Sequence, residues 1–148
     1  TVFATDGQLM PLTFVRRDAR PEAQRVLSER TARSVRTMLE TVTQTGGTGT
    51  RARVTGYRVA GKTATAHKLG EQGYARDRYI SSFAGFAPAS RPRLVVAVMI
   101  DEPGGKHYFG GEVAAPVFRE VTAGALRLLG EPPDEFDLQQ PRTPREAV

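Results

Sequence analysis

Two short stretches of this sequence carry side chains of reactive type at informative spacing. In Lys62-Thr63-Ala64-Thr65 a cation is followed by two hydroxyls set two positions apart. On a strand, where successive side chains point to opposite faces, those hydroxyls share one face and can donate together to a carboxylate. The same lysine closes Gly56-Tyr57-Arg58-Val59-Ala60-Gly61-Lys62-Thr63, which has the spacing of a phosphate-binding loop. The apolar run 94–100 followed by Asp101-Glu102 resembles the strand ending in acids that accompanies such loops. A P-loop-like nucleotide-binding ATPase and a strand-borne pair of hydroxyls therefore compete for Lys62 and Thr63.

Context separates them. A phosphate loop needs a buried strand before it and a helix after it, so that amide N–H groups converge on the anion. Before Gly56 there is only Val54 amid Arg, Thr and Ala, and after Thr63 come Gly70 and Gly73 with no apolar stripe. Inside the octapeptide, Tyr57 and Val59 are bulky strand formers that alternate as on a pleat. Lys62, Thr63 and Thr65 are therefore expected on a strand. Read without its surroundings, the box is equally an exposed lysine with ordinary strand threonines.

Other candidates are fewer. Tyr108-Phe109, just ahead of Gly110-Gly111, form either an aromatic wall of a cleft or a packed loop. His67 and His107 have no ligand spacing around them and read as polar surface residues, so no metal is expected. No cofactor is implied either.

The elements that must position these residues follow from periodicity. Asp6-Gly7 between Val2-Phe3 and Leu9, Leu12 and Phe14 predicts a hairpin, or a loop followed by a strand. Ser28 is an N-cap candidate, and Ala32, Val35, Met38, Leu39 and Val42 predict an amphipathic helix over 29–43, ended by Gly46-Gly47. Strands are predicted over 54–67, 79–87 and 94–100, the last a valine-rich run expected to be covered on both faces. A second helix is predicted to open near Ala115-Pro116 and close at Gly130, followed by Pro132-Pro133. The three strands lack helical crossovers, so the expected fold class is α+β, an antiparallel sheet flanked by helices. Residues 1–130 form one unit, and 131–148, rich in Pro, Gln and charge, read as a flexible tail.

Composition removes several classes of function. The net charge of +5 comes from basic residues dispersed from Arg16 to Arg145 among acids, without the patch that nucleic acid needs, so no nucleic-acid partner is expected. The absence of cysteine excludes a disulfide scaffold and a thiolate metal site. No apolar run approaches a membrane span, and the first residues lack the order of a signal peptide.

The residues around the box carry a resemblance. The stretch Val59-Ala60-Gly61-Lys62-Thr63-Ala64-Thr65-Ala66 is similar to the Lys-Thr-Gly-Thr box of penicillin-binding proteins. In the same order follow Tyr79-Ile80-Ser81-Ser82-Phe83-Ala84-Gly85-Phe86-Ala87-Pro88-Ala89, then Pro92-Arg93, the valine-rich run, Asp101-Glu102-Pro103, Tyr108-Phe109-Gly110-Gly111 and Ala115-Pro116-Val117-Phe118. Together they resemble the C-terminal part of the transpeptidase domain of septal class B penicillin-binding proteins, of the penicillin-binding protein 3 type. The resemblance covers nearly all of the chain except its tail.

It implies the serine β-lactamase/penicillin-binding transpeptidase fold and a peptidoglycan D,D-transpeptidase that attacks its substrate through an acyl-serine. The backbone N–H of Thr65 would be one oxyanion donor, and Lys62 would place its cation in the cleft. Thr63 and Thr65 would hold the substrate carboxylate, with Tyr108 and Phe109 beside them. Ala64 stands where the box normally has glycine. Neither Ser-x-x-Lys nor Ser-x-Asn occurs in the 148 residues, so the nucleophile is expected outside this chain, which would be an inactive fragment by itself. The implied setting is the bacterial inner membrane, with the catalytic domain in the periplasm and the anchor elsewhere. The implied partners are peptidoglycan stem peptides, β-lactam inhibitors and divisome membrane proteins. A noncatalytic binding module, and a β-lactam sensor or β-lactamase on the same fold, stand as alternatives.

Overall fold

The computed structural model describes residues 1–16, 18, 19, 21–70 and 73–135. Its centre is a three-stranded antiparallel sheet made of β3 (Ala60–Gly70), β4 (Gly73–Ala87) and β5 (Leu94–Asp101), with β4 in the middle. Before it come a two-residue pair, β1 (Gln8–Leu9) with β2 (Gln24–Arg25), and helix α1 (Glu29–Glu40); after it comes helix α2 (Gly110–Leu128). The α+β class and the antiparallel meander expected from the sequence are what the chain forms.

Register divides the sheet into two faces. Thr63 pairs with Phe83 and Thr65 with Ser81, while Phe83 pairs with Val98 and Ser81 with Ile100, so these side chains share one face. α2 covers that face: Phe83 and Phe118 are both fully buried, with ring centroids 4.7 Å apart. Ala114, Ala115 and Leu126 of the helix are buried in the same core, with Ala52, Val54, Val59 and Ala87. On the other face a smaller cluster of Ala60, Phe86 and Ala89 meets Leu39 of α1 together with Phe3 and Ala4.

Because α1 packs against β3 and not against β5, the second face of β5 is uncovered. Val95 and Met99 are 49% and 72% exposed, whereas Leu94, Val96, Val98 and Ile100 pack inward. The expectation of a strand covered on both faces is thus corrected. An unbroken valine-rich run does not distinguish one covered face from two.

α1 starts where expected, with Ser28 Oγ accepting the Thr31 N–H at 3.1 Å. It ends at Glu40 and tightens into a 3₁₀ turn, Thr41–Thr43. Its inward face keeps Ala32 and Leu39 of the predicted apolar stripe but adds two charged residues. Met38 is 66% exposed, while Arg36 and Glu40 are buried. Arg36 Nη2 donates to the Phe3 carbonyl and to Asp6, and Arg58 grips both oxygens of Glu40 at 2.9 and 2.8 Å. Fork-shaped ion pairs of this kind satisfy charges that burial would otherwise penalise.

Three further expectations are modified. Asp6-Gly7 does make a left-handed turn, but no local hairpin forms: the Gly7 carbonyl accepts from Val26 and Leu27, and Leu9 pairs with Gln24. Leu12 and Phe14 stay exposed. α2 begins at Gly110, five residues before Ala115, and contains Pro116. Proline cannot donate to the carbonyl four residues back, and that carbonyl, Glu112, accepts instead from Arg51 Nη1 at 3.4 Å. Finally, 131–135 are held: Asp134 accepts from Arg58 N, Ser90 N and Ser90 Oγ, and the Glu131 carbonyl accepts from the Tyr57 hydroxyl at 2.5 Å. The rest of the expected tail, 136–148, lies outside the described residues.

Candidate active site

The phosphate-loop spacing at residues 56–63 folds as something else. Gly56 sits at φ +84° in a tight turn bridging Val54 to Tyr57, Val59 and Ala60 are buried, and the chain then runs straight into β3. Strand, and not a helix, continues directly after Thr63, so the strand–loop–helix setting of a phosphate loop is missing. The acids after β5 are likewise engaged: Lys68 Nζ bridges Asp101 at 2.8 Å and Glu102 at 2.6 Å. These contacts, Asp101 first and then Glu102, hold the Lys68 ammonium above its ordinary pKa of 10.5. The ATPase reading is overturned by this geometry.

Lys62, Thr63, Ala64 and Thr65 lie on β3, which pairs only with β4 among the described residues and so has a free edge. Strand alternation splits the box between the two faces of the sheet. Thr63 and Thr65 share the α2 face, as their spacing predicts. Lys62 and Ala64 share the opposite face, and the Lys62 ammonium folds over to donate to the Thr63 carbonyl at 2.9 Å. Both sets of groups meet at the free edge, where a chain lying along β3 touches the threonines from one side and the lysine from the other. Ala64 is exposed in regular extended strand, so its methyl costs the fold nothing visible.

The hydroxyl of each threonine already has one partner. Thr63 Oγ1 lies 3.0 Å from Thr48 Oγ1, and Thr65 Oγ1 accepts the N–H of Gly110 at 3.0 Å. Gly110 is the first residue of α2, whose N-cap Phe109 supplies no side-chain cap. Thr65 therefore caps α2 from across the sheet, satisfying an N–H that a helix leaves orphaned. The approach is close enough to require glycine. A Cβ on Gly110 would stand 2.3 Å from the Ser82 carbonyl oxygen and 2.5 Å from that of Ala64, and one on Gly111 would stand 2.0 Å from the Thr48 oxygen.

Tyr108 and Phe109 precede this contact and belong to a run of rings. His67 lies 4.6 Å from Tyr79, Tyr79 stacks on Tyr108 at 4.1 Å, and Tyr108 lies 4.5 Å from Phe109. Phe109 remains 54% exposed, so the loop is packed at Tyr108 and presents an open ring at Phe109. Partial burial in the stack, followed by the neighbouring Tyr108 phenol, pushes the Tyr79 hydroxyl above its usual range. His67 Nδ1 meets the Ala75 carbonyl at 2.8 Å, and His107 Nδ1 lies 3.2 Å from Glu112. Each imidazole thus has a local partner.

The structure brings Thr63, Thr65, Tyr108 and Phe109 to one end of the α2 face and places Lys62 across the strand from them. Sequence reasoning missed Thr48, Ser81 and Tyr79. The first hid in a Gly/Thr-rich loop, and the others in a strand read for its apolar residues; the polar pair Ser81-Ser82 inside that run was the available signal. Hollows elsewhere on the described residues include one of about 390 Å³ lined by Glu40, Thr43, Arg53, Tyr57 and Arg58.

Comparison with known proteins identifies the family and the fold. A protein family described as penicillin binding protein transpeptidase domain matches residues 1–123. The probable peptidoglycan D,D-transpeptidase PbpC of Pseudomonas aeruginosa is 48% identical over 136 residues, covering 92% of this chain and 24% of that protein. The peptidoglycan D,D-transpeptidase FtsI of Escherichia coli is 41% identical over 136 residues, covering 90% of this chain and 23% of that one. Among solved structures, the apo transpeptidase domain of Burkholderia pseudomallei penicillin-binding protein 3 superposes with a TM-score of 0.80 at 48% identity, covering 90% of this chain and 41% of that chain. The chain therefore spans about a quarter of the length of the two curated relatives.

Proposed function

Because this chain belongs to the transpeptidase-domain family of penicillin-binding proteins, we propose that the protein carrying it cross-links peptidoglycan stem peptides as a serine D,D-transpeptidase of the septal type, and that this chain supplies the strand against which the acyl donor lies. The observation that supports this most is the free edge of β3 with Lys62 on one side and two positioned hydroxyls on the other. A peptide with a terminal carboxylate can add to such an edge as a further strand, its carboxylate meeting Thr63 and Thr65.

Each residue then has a task. The serine nucleophile comes from outside this chain. As it attacks the carbonyl, negative charge develops on oxygen, and fixed N–H donors stabilise it without reorganising. The Thr65 N–H is one donor in this reading and the nucleophile's own amide the other. Lys62 raises the positive potential of the cleft and supports proton transfer. Thr65, accepting from Gly110, keeps its hydroxyl proton for the substrate. The N-terminus of α2, next to that hydroxyl, also favours an anion. Tyr108 and Phe109 wall the site beside the box.

The setting is proposed with the function: the periplasmic side of the inner membrane, with divisome membrane proteins as partners and β-lactams as inhibitors. No helix of the described residues is long and apolar enough to cross a membrane. Intact-mass spectrometry after incubation with a penicillin tests the reading. A persistent adduct on the whole protein, and none on this chain alone, is expected. A folded whole protein without an adduct would contradict it, and rapid loss of the adduct would indicate a β-lactamase.

A further inference from the structure

Thr65 and Ser81 face each other across the β3–β4 ladder, on the side covered by α2. Ser81 is fully buried, with the apolar Phe83 next to it on the same face. A hydroxyl there is costly unless it is hydrogen-bonded, and its bond is specific: Ser81 Oγ donates to the carbonyl of Tyr108. Two residues later, the Gly110 N–H donates to Thr65 Oγ1. One cross-strand pair thus holds both ends of the Tyr108-Phe109-Gly110 segment.

We propose that Ser81 is a positioning residue for the transpeptidase site, acting through Tyr108 and Gly110 to fix the hydroxyl of Thr65. This rests on the function proposed above. The segment has no slack, because Gly110 already lies where a Cβ would strike the Ser82 and Ala64 carbonyls. With Tyr108 O tied to Ser81, the Gly110 N–H occupies a lone pair of Thr65, and the Thr65 proton points away, towards whatever lies on the β3 edge. Without Ser81 the Tyr108 peptide is free to turn, Gly110 loses its direction and the Thr65 hydroxyl becomes a free rotor. The ring stack of Tyr108 on Tyr79 still anchors the loop, so the loss falls on orientation more than on folding.

The role has a signature that packing alone does not produce. Thr65 is placed to meet a carboxylate, so the effect must depend on the ligand carrying one. In the whole protein, acylation is measured with a penicillin and with its methyl ester, for the unsubstituted protein and for Ser81→Ala. The second-order acylation constant for the free acid should fall about tenfold, the cost of one well-directed hydrogen bond to a charged group. The loss should appear in apparent affinity more than in the limiting rate, and the ester's constant should change little. An equal loss on acid and ester, or no loss on the acid, would overturn the proposal. If Ser81→Ala does not fold, Ser81→Cys, which keeps the volume with a weak donor, is read in its place by the same criteria. No adduct on the unsubstituted protein would overturn the transpeptidase reading and this inference with it, whereas equal rates in both proteins would overturn this inference alone.

Discussion

The two helices on opposite faces of the sheet are held by different physics. α2 buries Ala114, Ala115, Phe118 and Leu126 against Phe83 and the inward side chains of β5, and starts on two glycines pressed against backbone carbonyls. α1 buries Arg36 and Glu40, each in an ion pair, and leaves Met38 in solvent. The α2 face carries the candidate site's threonines and aromatic loop. A face built by close packing fixes distances to tenths of an ångström, which a hydroxyl aimed at substrate needs. A face built on long charged side chains joins segments distant in sequence, here residues 3–6, 36–40 and 58.

The difference can be attacked from both sides. Phe118→Ala removes a fully buried ring and should cost about 3–5 kcal/mol, read as a shift of the denaturant midpoint at unchanged slope. A cost under about 1 kcal/mol would mean that α2 is not held by its core. Glu40→Gln leaves Arg58 without its carboxylate. The Arg58 side chain is 26% exposed and that of Glu40 11%, so the cost should fall below that of a fully buried pair, at about 2 kcal/mol. Insensitivity to this change would make the α1 face as apolar in energy as the α2 face.

The smallest effect belongs to the exposed pair Lys68–Asp101/Glu102 at the end of the sheet. The folded pKa of Lys68 is raised, so its contribution is fully present below the unfolded value of 10.5 and is lost as pH rises through the folded one. Lys68→Met should therefore lower the melting temperature slightly at neutral pH, where the solvent-screened contribution is present, and by less as pH rises through the folded pKa, flattening the alkaline limb of the profile. A larger loss at alkaline pH than at neutral pH would contradict this sign.

α2 and the three strands were readable as elements from their apolar content, but the packed face of α2 was not: Phe118 is fully buried, whereas Val117, Val121, Leu128 and Leu129 are exposed. The strand expected over 54–67 begins only at Ala60, after the turn at Gly56, yet Lys62, Thr63 and Thr65 do lie on it. α1 existed where Ser28 and the periodic residues put it, with Ala32 and Leu39 inward as expected, but the charged part of its buried face was hidden. Arg36 and Glu40 look like solvent residues until Asp6 and Arg58 arrive from elsewhere in the chain. The start of α2 was missed because proline at position 116 suits a first turn, while the real start is set by a hydroxyl on β3, 45 residues away in sequence. Within the site, Lys62, Thr63, Thr65, Tyr108 and Phe109 were read from residue type and order. That Thr63 and Thr65 share a face followed from their spacing, but which face α2 covers, and the Ser81–Thr65 grip on Tyr108 and Gly110, depend on pairing register, which a single sequence does not display.

The most direct test of the central claim, that this chain supplies the working edge of a transpeptidase site, is the acylation rate of the whole protein by a penicillin with and without Lys62→Ala. Lys62 is exposed and packs against no core residue, so its loss should leave the melting temperature unchanged while slowing acylation about 100-fold or more. Acylation at an undiminished rate in the folded variant would contradict the account, because the β3 edge would then have no part in the chemistry.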